Sequence, residues 1–272
     1  MQGYLSYLPV LLATGVSVGF ASGLLGVGGA FITVPVIYWV IAGMGIPADI
    51  AIKIAFGTNL LVILPTALSG ALGHTRRGAV RWKVALSLGL CGLAGAWAGA
   101  TLAVHLPGEA LKVGFGVLIL AVALWMALDS TLNLTVGRGK PKENLPLLSL
   151  CGFPIGMLTG LTGVGGGIIA VPMLALAFGF PMHLAVGTSV AMIIFTSLGG
   201  VIGYVLNGLG MPDFLPYSLG YVNLPIWVCL AATSIPMAQL GAKASHALPA
   251  KQLRYVFIAF MVFVGLKMVG AF

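Results

Sequence analysis

The sequence predicts an all-α polytopic membrane protein. Of its 272 residues, 60% are hydrophobic and only 7% are charged, whereas soluble domains carry about 25% charged residues. The apolar stretches are about 20 residues long, which is the length of helix that crosses a bilayer core. Runs such as 84–104 and 110–128 are apolar on every face, unlike the alternating strands of a transmembrane barrel. These features exclude a water-soluble globular protein.

The chain contains an internal repeat. The segment Gly23–Pro35, G-L-L-G-V-G-G-A-F-I-T-V-P, returns as G-L-T-G-V-G-G-G-I-I-A-V-P over Gly160–Pro172. Farther along, G-T-N at Gly57–Asn59 corresponds to G-T-S at Gly187–Ser189. Matches in the same order indicate a duplication. We therefore expect a first repeat over 1–128, a polar linker over 129–146 and a second repeat over 147–272.

Each repeat begins with a long apolar segment interrupted by glycines. The segment 8–42 would extend about 50 Å as one helix, which is too long for one crossing, yet it is too short for two crossings and a turn. The Gly28-Gly29 break predicts a re-entrant helical hairpin. We expect Pro35 near the first turn of the second arm, where its missing N–H has no cost.

The remaining elements are plain membrane helices. After the hairpin 8–42 we predict helices over 50–73, 82–105 and 109–128. After a second hairpin over 147–179 we predict helices over 183–207, 221–246 and 252–271. Each repeat thus contains a re-entrant hairpin and three transmembrane helices. Because three is odd, the second repeat should be inverted relative to the first.

The cations support this topology. The net charge of +8 comes from 13 Lys and Arg residues against 5 Asp and Glu residues. We attribute the excess to cytoplasmic loops, following the positive-inside rule, rather than to a nucleic-acid surface. With both hairpins re-entrant, ten cations lie inside and only Lys53, Lys112 and Lys267 lie outside; single crossings give eight and five. The linker 129–146 is then cytoplasmic and both termini lie on the outer side.

Inverted repeats with broken helices are typical of secondary transporters, whose substrate site lies near the midplane where the repeats meet. A helix that begins inside the membrane presents unpaired N–H groups and a positive dipole end. Glycine allows the backbone to approach a ligand closely. These features predict an anion site. Its candidate residues are the loop glycines and the polar pairs that follow Gly57 and Gly187. They are Gly26, Gly28, Gly29, Gly163, Gly165, Gly166, Gly167, Thr58, Asn59, Thr188 and Ser189.

Structural alternatives exist for these residues. Glycines on membrane helices often serve close helix packing, and Thr58, Asn59, Thr188 and Ser189 could form interhelical hydrogen bonds. All five carboxylates fall at predicted helix ends or in loops, which argues against a carboxylate proton relay and a cation substrate. Lys53 is expected to snorkel towards the interface, and His74 is expected at an interface.

No cofactor or metal is expected. Cys91, Cys151 and Cys229 lack the spacing of a metal or redox site, so we interpret them as small apolar residues. The chain also lacks G-x-S-x-G and H-E-x-x-H motifs, which offers no support for an intramembrane enzyme.

The duplicated glycine motif, each copy followed by G-T-[NS], resembles the sulfite exporter family of TauE/SafE type over essentially the whole chain. The resemblance implies a plasma-membrane permease of bacteria or archaea for small sulfur-containing anions such as sulfite or organosulfonates. The positions that match the family motif are Gly26, Gly28, Gly29, Gly57, Thr58 and Asn59, with Gly163, Gly165, Gly166, Gly187, Thr188 and Ser189. Ser189 stands where the first repeat has Asn59, so the two sides of a site would differ chemically.

Export would not require a coupling ion. A potential of about 100 mV, negative inside, favours exit of each anionic charge by about 2.3 kcal/mol. The alternatives are an uptake permease for another small organic anion or oxyanion, and a membrane assembly protein without transport activity. The residues leave the exact anion, the direction, the coupling ion and the oligomeric state open.

Overall fold

A computed structural model describes residues 2–25, 28–132, 143–210, 215–244 and 250–271. The described chain is almost entirely helical. The first repeat contains α1 Gln2–Leu25, α2 Ala30–Gly43, α3 Ala48–Thr75, α4 Trp82–His105 and α5 Gly108–Leu132. The second contains α6 Leu145–Thr162, α7 Gly167–Pro172 with a π-helical turn Met173–Ala177, α8 Met182–Gly208, β1 Ser218–Leu219, β2 Val222–Asn223, α9 Leu224–Ala244 and α10 Ala250–Val269.

The protein is a multi-pass membrane protein. Within the described ranges, seven helices are long and apolar enough to cross a bilayer: α1, α3, α4, α5, α6, α8 and α9. The predicted helix over 82–105 is observed with the same bounds, and the other predicted helices shift by a few residues at their ends. The two-residue strands before α9 were not predicted, because a pair this short leaves no alternating pattern in the sequence.

The interrupted segments are built from unequal arms. Their first arms, α1 with 24 residues and α6 with 18, are long enough to span by length and composition. Their second arms, Ala30–Gly43 and Gly167–Ala177, are short. The predicted hairpin begins at residue 8, whereas α1 begins at Gln2, so the first arm is longer than predicted. The re-entrant path of these segments through the membrane stays a prediction.

The expected position of Pro35 is wrong. Helix α2 begins at Ala30, so Pro35 is its sixth residue and lies beyond the four N–H groups that have no helical partner. Pro172 ends α7 at the equivalent position, and the chain continues there as the π-helical turn Met173–Ala177. A proline inside a helix removes one i→i−4 hydrogen bond, and π-turns occur where such a ladder is disturbed.

The two repeats pack on each other reciprocally. Helix α1 of the first repeat packs along α9 of the second, and α6 of the second packs along α4 of the first. Helices α3 and α8 pack on each other, as do α5 and α10. Each contact between a helix of the first repeat and one of the second therefore has an equivalent in which the roles of the two repeats are swapped. This is the packing expected of two repeats related by a two-fold axis, while their inverted orientation in the membrane stays a prediction.

Glycine stripes allow the reciprocal pairs to approach closely. Gly152, Gly156 and Gly160 of α6 lie four residues apart and share one helix face. A Cβ on Gly156 would lie only 1.9 Å from the Gly92 carbonyl oxygen of α4. In α1, a Cβ on Gly19 would lie 2.2 Å from the Ser234 carbonyl oxygen of α9. Without a hydrophobic driving force between helices in lipid, such backbone contact supplies the packing energy.

Lys53 is buried near the start of α3 and pairs with a carboxylate, while its predicted snorkelling towards the interface stays a prediction. Its residue exposure is 6%, and its Nζ lies 2.9 Å from Asp49 Oδ2, one turn earlier in α3. The other carboxylate oxygen of Asp49 accepts the Gly108 N–H at the start of α5. The lysine is therefore held by a paired carboxylate, because a buried charge is tolerated only with a partner.

The glycine stripe gives a testable prediction. Gly156→Ala places a methyl group against the α4 backbone, and this overpacking should lower stability by about 1–3 kcal/mol. The measurement is the apparent unfolding temperature of the purified protein in detergent. Gly114→Ala is the matched control, since Gly114 lies inside α5 with open space around its Cβ position. Equal unfolding temperatures for the two variants would contradict the packing assignment.

Candidate functional site

The glycine loops of the two repeats are buried and tightly turned. Backbone φ lies between 66° and 84° at the loop glycines Gly28, Gly29, Gly163, Gly165 and Gly166. An L-residue with a Cβ is disfavoured in this left-handed region. All five are buried, as is Gly167 at the first position of α7. Gly26, which was also predicted for the site, lies outside the described residues.

The two loops meet each other. A Cβ on Gly28 would lie 3.2 Å from the Val164 carbonyl oxygen of the other loop. The same two isoleucines border both loops: Ile63 of α3 and Ile193 of α8. A Cβ on Gly165 would lie 3.2 Å from Ile63 Cδ1 and 3.4 Å from Ile193 Cγ2. The two loops therefore converge, and apolar side chains border their contact.

The other loop glycines serve the turn itself. A Cβ on Gly29 would lie 2.6 Å from Val18 Cγ1 of α1, and one on Gly166 would lie 2.6 Å from Thr159 Oγ1 of α6. These glycines let each loop pass close to the first arm of its own repeat, α1 or α6. Thr159 itself donates to the Ile155 carbonyl within α6, so its hydroxyl has a structural partner.

Asn59 ties α3 of the first repeat to the loop of the second. Its Nδ2 donates to the Gly163 carbonyl oxygen at 2.6 Å. Nearby on α8, Thr196 Oγ1 donates to the Gly165 carbonyl oxygen at 2.9 Å. Asn59, Thr196 and Ser189, the repeat equivalent of Asn59, are all fully buried at 0% exposure. Asn59 and Thr196 thus satisfy carbonyl groups that the broken helix leaves without helical donors.

The G-T part of each G-T-[NS] motif joins the repeats. Thr58 Oγ1 accepts the Asn223 N–H before α9 at 2.9 Å. At the equivalent place, Thr188 Oγ1 accepts the Arg81 N–H before α4 at 3.0 Å. The preceding glycine makes room, since a Cβ on Gly57 would lie 2.4 Å from the Tyr221 carbonyl oxygen. The structural alternative considered for the threonines, hydrogen bonding between elements, is thus present in the structure.

The structure assembles part of the predicted set. Gly28, Gly163, Gly165 and Asn59 come together at the loop contact, while the oxygens of Thr58 and Thr188 bind loops at the start of α9 and α4. Three residues at the loop contact were not predicted from the sequence: Ile63, Ile193 and Thr196. The two isoleucines are neither polar nor glycine, so nothing marked them as site residues. The spacing of the repeat could have found them, since Ile63 and Ile193 occupy equivalent positions.

Two further side chains missed by the sequence hold the ends of the first arms. His74 Nε2 lies 3.0 Å from the Gly23 carbonyl oxygen of α1. Tyr204 Oη donates to the Gly160 carbonyl oxygen of α6 at 2.9 Å. His74 lies in the last turn of α3 and is 1% exposed, so protein encloses it; its interfacial position stays a prediction. Both groups contact a carbonyl oxygen in the last helical turn before a glycine loop, where the helix supplies no N–H partner.

The donors at the loop contact are amide, hydroxyl and backbone groups. In the described part of the chain, no group of three or more His, Cys, Asp or Glu residues is placed to hold a metal ion.

Comparison with known proteins identifies the family. The sequence profile described as "Sulfite exporter TauE/SafE" matches residues 11–268. The chain belongs to the sulfite exporter TauE/SafE family. The match includes both glycine loops and both G-T-[NS] motifs, so the geometry described above lies within the matched residues.

Curated relatives of this TauE/SafE protein are full-length matches. A "Probable membrane transporter protein" of Methanocaldococcus jannaschii is 32% identical over 266 residues, covering 97% of this chain and 96% of the relative. One of Haemophilus influenzae is 29% identical over 272 residues, covering 97% and 98%. YunE of Bacillus subtilis, with the same description, is 24% identical and covers 96% of each chain. No solved structure gives a significant match. The protein is a membrane transporter.

The inter-repeat role of the threonines can be tested. Thr58→Val removes the acceptor of the Asn223 N–H without changing side-chain size and should lower stability by about 1–3 kcal/mol. Thr58→Ser keeps the oxygen and should retain most of that stability. Unfolding of both variants in detergent gives the comparison. If valine and serine destabilise the protein equally, the hydrogen bond is not what Thr58 contributes.

Proposed function

We propose that this TauE/SafE transporter moves a small sulfur-containing anion, sulfite or an organosulfonate, through a site at the contact of its two glycine loops. The observation that carries the proposal is the buried meeting of Gly28 with Val164 beside Asn59. Backbone in this position within a membrane is tolerated only where it is enclosed by protein or lines a ligand path. The family description supports the sulfur anion.

The charge distribution supports an anion. Helix α2 begins directly after Gly29, so its positive N-terminal end faces the loop contact. The carboxylates Asp49 and Glu109 lie in the first turns of α3 and α5, and Glu143 lies before α6. Acidic groups that would repel an anion are thus kept to the helix ends in these elements.

Transport requires the loop contact to open. Ile63 and Ile193 are 1% and 0% exposed and border both loops, so they close the path between the repeats in this conformation. Relative movement of the repeats is the usual way in which such a site becomes accessible from alternate sides. We place the protein in a prokaryotic plasma membrane, with the linker 129–146 in the cytoplasm and both termini outside.

Export follows from the membrane potential. With a negative cytoplasm of about 100 mV, each anionic charge gains about 2.3 kcal/mol on leaving, so an anion gradient and the potential suffice without a coupling ion. The test is flux of labelled sulfite in liposomes that contain the purified protein, with the potential set by a potassium gradient. Saturable flux that follows the potential is expected. Absence of flux for sulfite and for a panel of sulfonates by folded protein would contradict the substrate class.

A matched pair of glycine variants tests the location of the path. Gly28→Ala and Gly45→Ala both place a methyl group on left-handed backbone, with φ of 84° and 86°, so both carry a similar strain of about 1–2 kcal/mol. Only Gly28 faces the opposite loop; the Cβ position of Gly45 has open space. We expect sulfite flux to fall about tenfold or more in Gly28→Ala and to persist in Gly45→Ala. Equal flux in the two would exclude the loop contact as the path.

A further inference from the structure

The carboxamide of Asn59 has a defined orientation. Its Nδ2 lies 2.6 Å from the Gly163 carbonyl oxygen, which accepts hydrogen bonds but cannot donate them. Rotating the amide by half a turn would place its own oxygen against that carbonyl, so the nitrogen must face Gly163. The atom of the Asn59 carboxamide that points away from this bond is therefore an acceptor, Oδ1, beside the loop Gly163–Gly166.

This acceptor is buried without a partner. Asn59 is 0% exposed, and its Oδ1 makes no hydrogen bond to any residue that the structure describes. Buried polar atoms nearly always have a partner, because an unsatisfied one loses its hydration without compensation. An orphaned acceptor at a loop contact proposed to bind ligand points to a ligand that supplies the missing donor.

We propose that the transported anion carries a hydrogen-bond donor of its own, an O–H or N–H group, which Asn59 Oδ1 accepts. This inference rests on the function proposed above and narrows its substrate class. Hydrogensulfite, or a sulfonate that bears a hydroxyl or amino group, meets the requirement. A fully deprotonated oxyanion would instead bring a second acceptor towards Oδ1, and the two oxygens would repel each other.

The two repeats differ at the position of this acceptor. The position equivalent to Asn59 is Ser189, also 0% exposed, whose hydroxyl can donate as well as accept. The acceptor that cannot donate therefore belongs only to the first repeat. A ligand with an oxyanion end and a donor end would bind in one orientation, with its donor towards α3.

Two probes of equal charge and similar size separate the donor from other properties. In 1-propanesulfonate a methyl group replaces the hydroxyl of 2-hydroxyethanesulfonate, and both are monoanions. The measurement is the probe concentration that gives half of the maximal rise in unfolding temperature of the full chain in detergent. We expect the half-maximal concentration of the hydroxyl probe to be at least about fivefold lower than that of 1-propanesulfonate. A site built for a donor discriminates against the analogue that lacks it.

Variants assign the preference to Asn59. Asn59→Leu and the milder Asn59→Ser should bring the ratio of the two half-maximal concentrations close to one. Because both probes are measured on the same variant, a general loss of affinity cancels in the ratio. Asn207→Ser is the matched control, because Asn207 bonds Thr101 Oγ1 and the Gly203 carbonyl. Its ratio should equal that of the unmodified protein.

Equal or reversed ratios in the unmodified protein, a preference that survives in Asn59→Leu, or no response to either probe would overturn the inference. Because the assay measures binding, it is separate from flux. A preserved preference together with no sulfite flux would refute the proposed transport of sulfite while supporting the donor-accepting role of Asn59.

Discussion

The architecture depends on one constraint: helices that break inside a membrane must have their freed backbone groups satisfied within the protein. Both breaks contain glycines in left-handed conformation, and side chains of neighbouring helices bond the second. Asn59 and Thr196 bind the carbonyls of Gly163 and Gly165. The remaining protection comes from the opposite loop, since Gly28 contacts Val164. Neither loop would be enclosed in this way without the other repeat.

The scaffold is nearly two-fold symmetric, whereas the chemistry at the loops is not. Glycine stripes and the bonds of Thr58 and Thr188 recur in both repeats and hold them together. The differences fall at a few positions, where Asn59 corresponds to Ser189 and His74 to Tyr204. In the transport that we propose, reciprocal packing lets the repeats move against each other, and unequal side chains beside the loops orient a small ligand. Both properties suit a transporter of the TauE/SafE family.

The sequence predicted the helices well because membrane helices are defined locally, by apolar length and interrupting glycines. It also predicted that the two glycine loops would meet, since the repeat pattern implied it. The start of α1 was missed because Tyr4, Ser6 and Pro9 make its first turns less apolar. The partners of Thr58 and Asn59 were not predictable, because they lie 165 and 104 residues away in the chain. The burial of Lys53 was not predictable, because it depends on Asp49, which bonds the start of α5.

The central claim is that two repeats of opposite orientation close on each other at their glycine loops. Its most direct test is the sidedness of the loops that follow α3 and α8, which inversion places on opposite sides of the membrane. Single cysteines at Gly78 and Gly210, where the Cβ position has open space, can replace the native Cys91, Cys151 and Cys229 as thiols for a membrane-impermeant reagent on intact cells. The account predicts that the cysteine at position 210 reacts from outside, while the one at 78 reacts only after the membrane is opened. Reaction of both from the same side would contradict it.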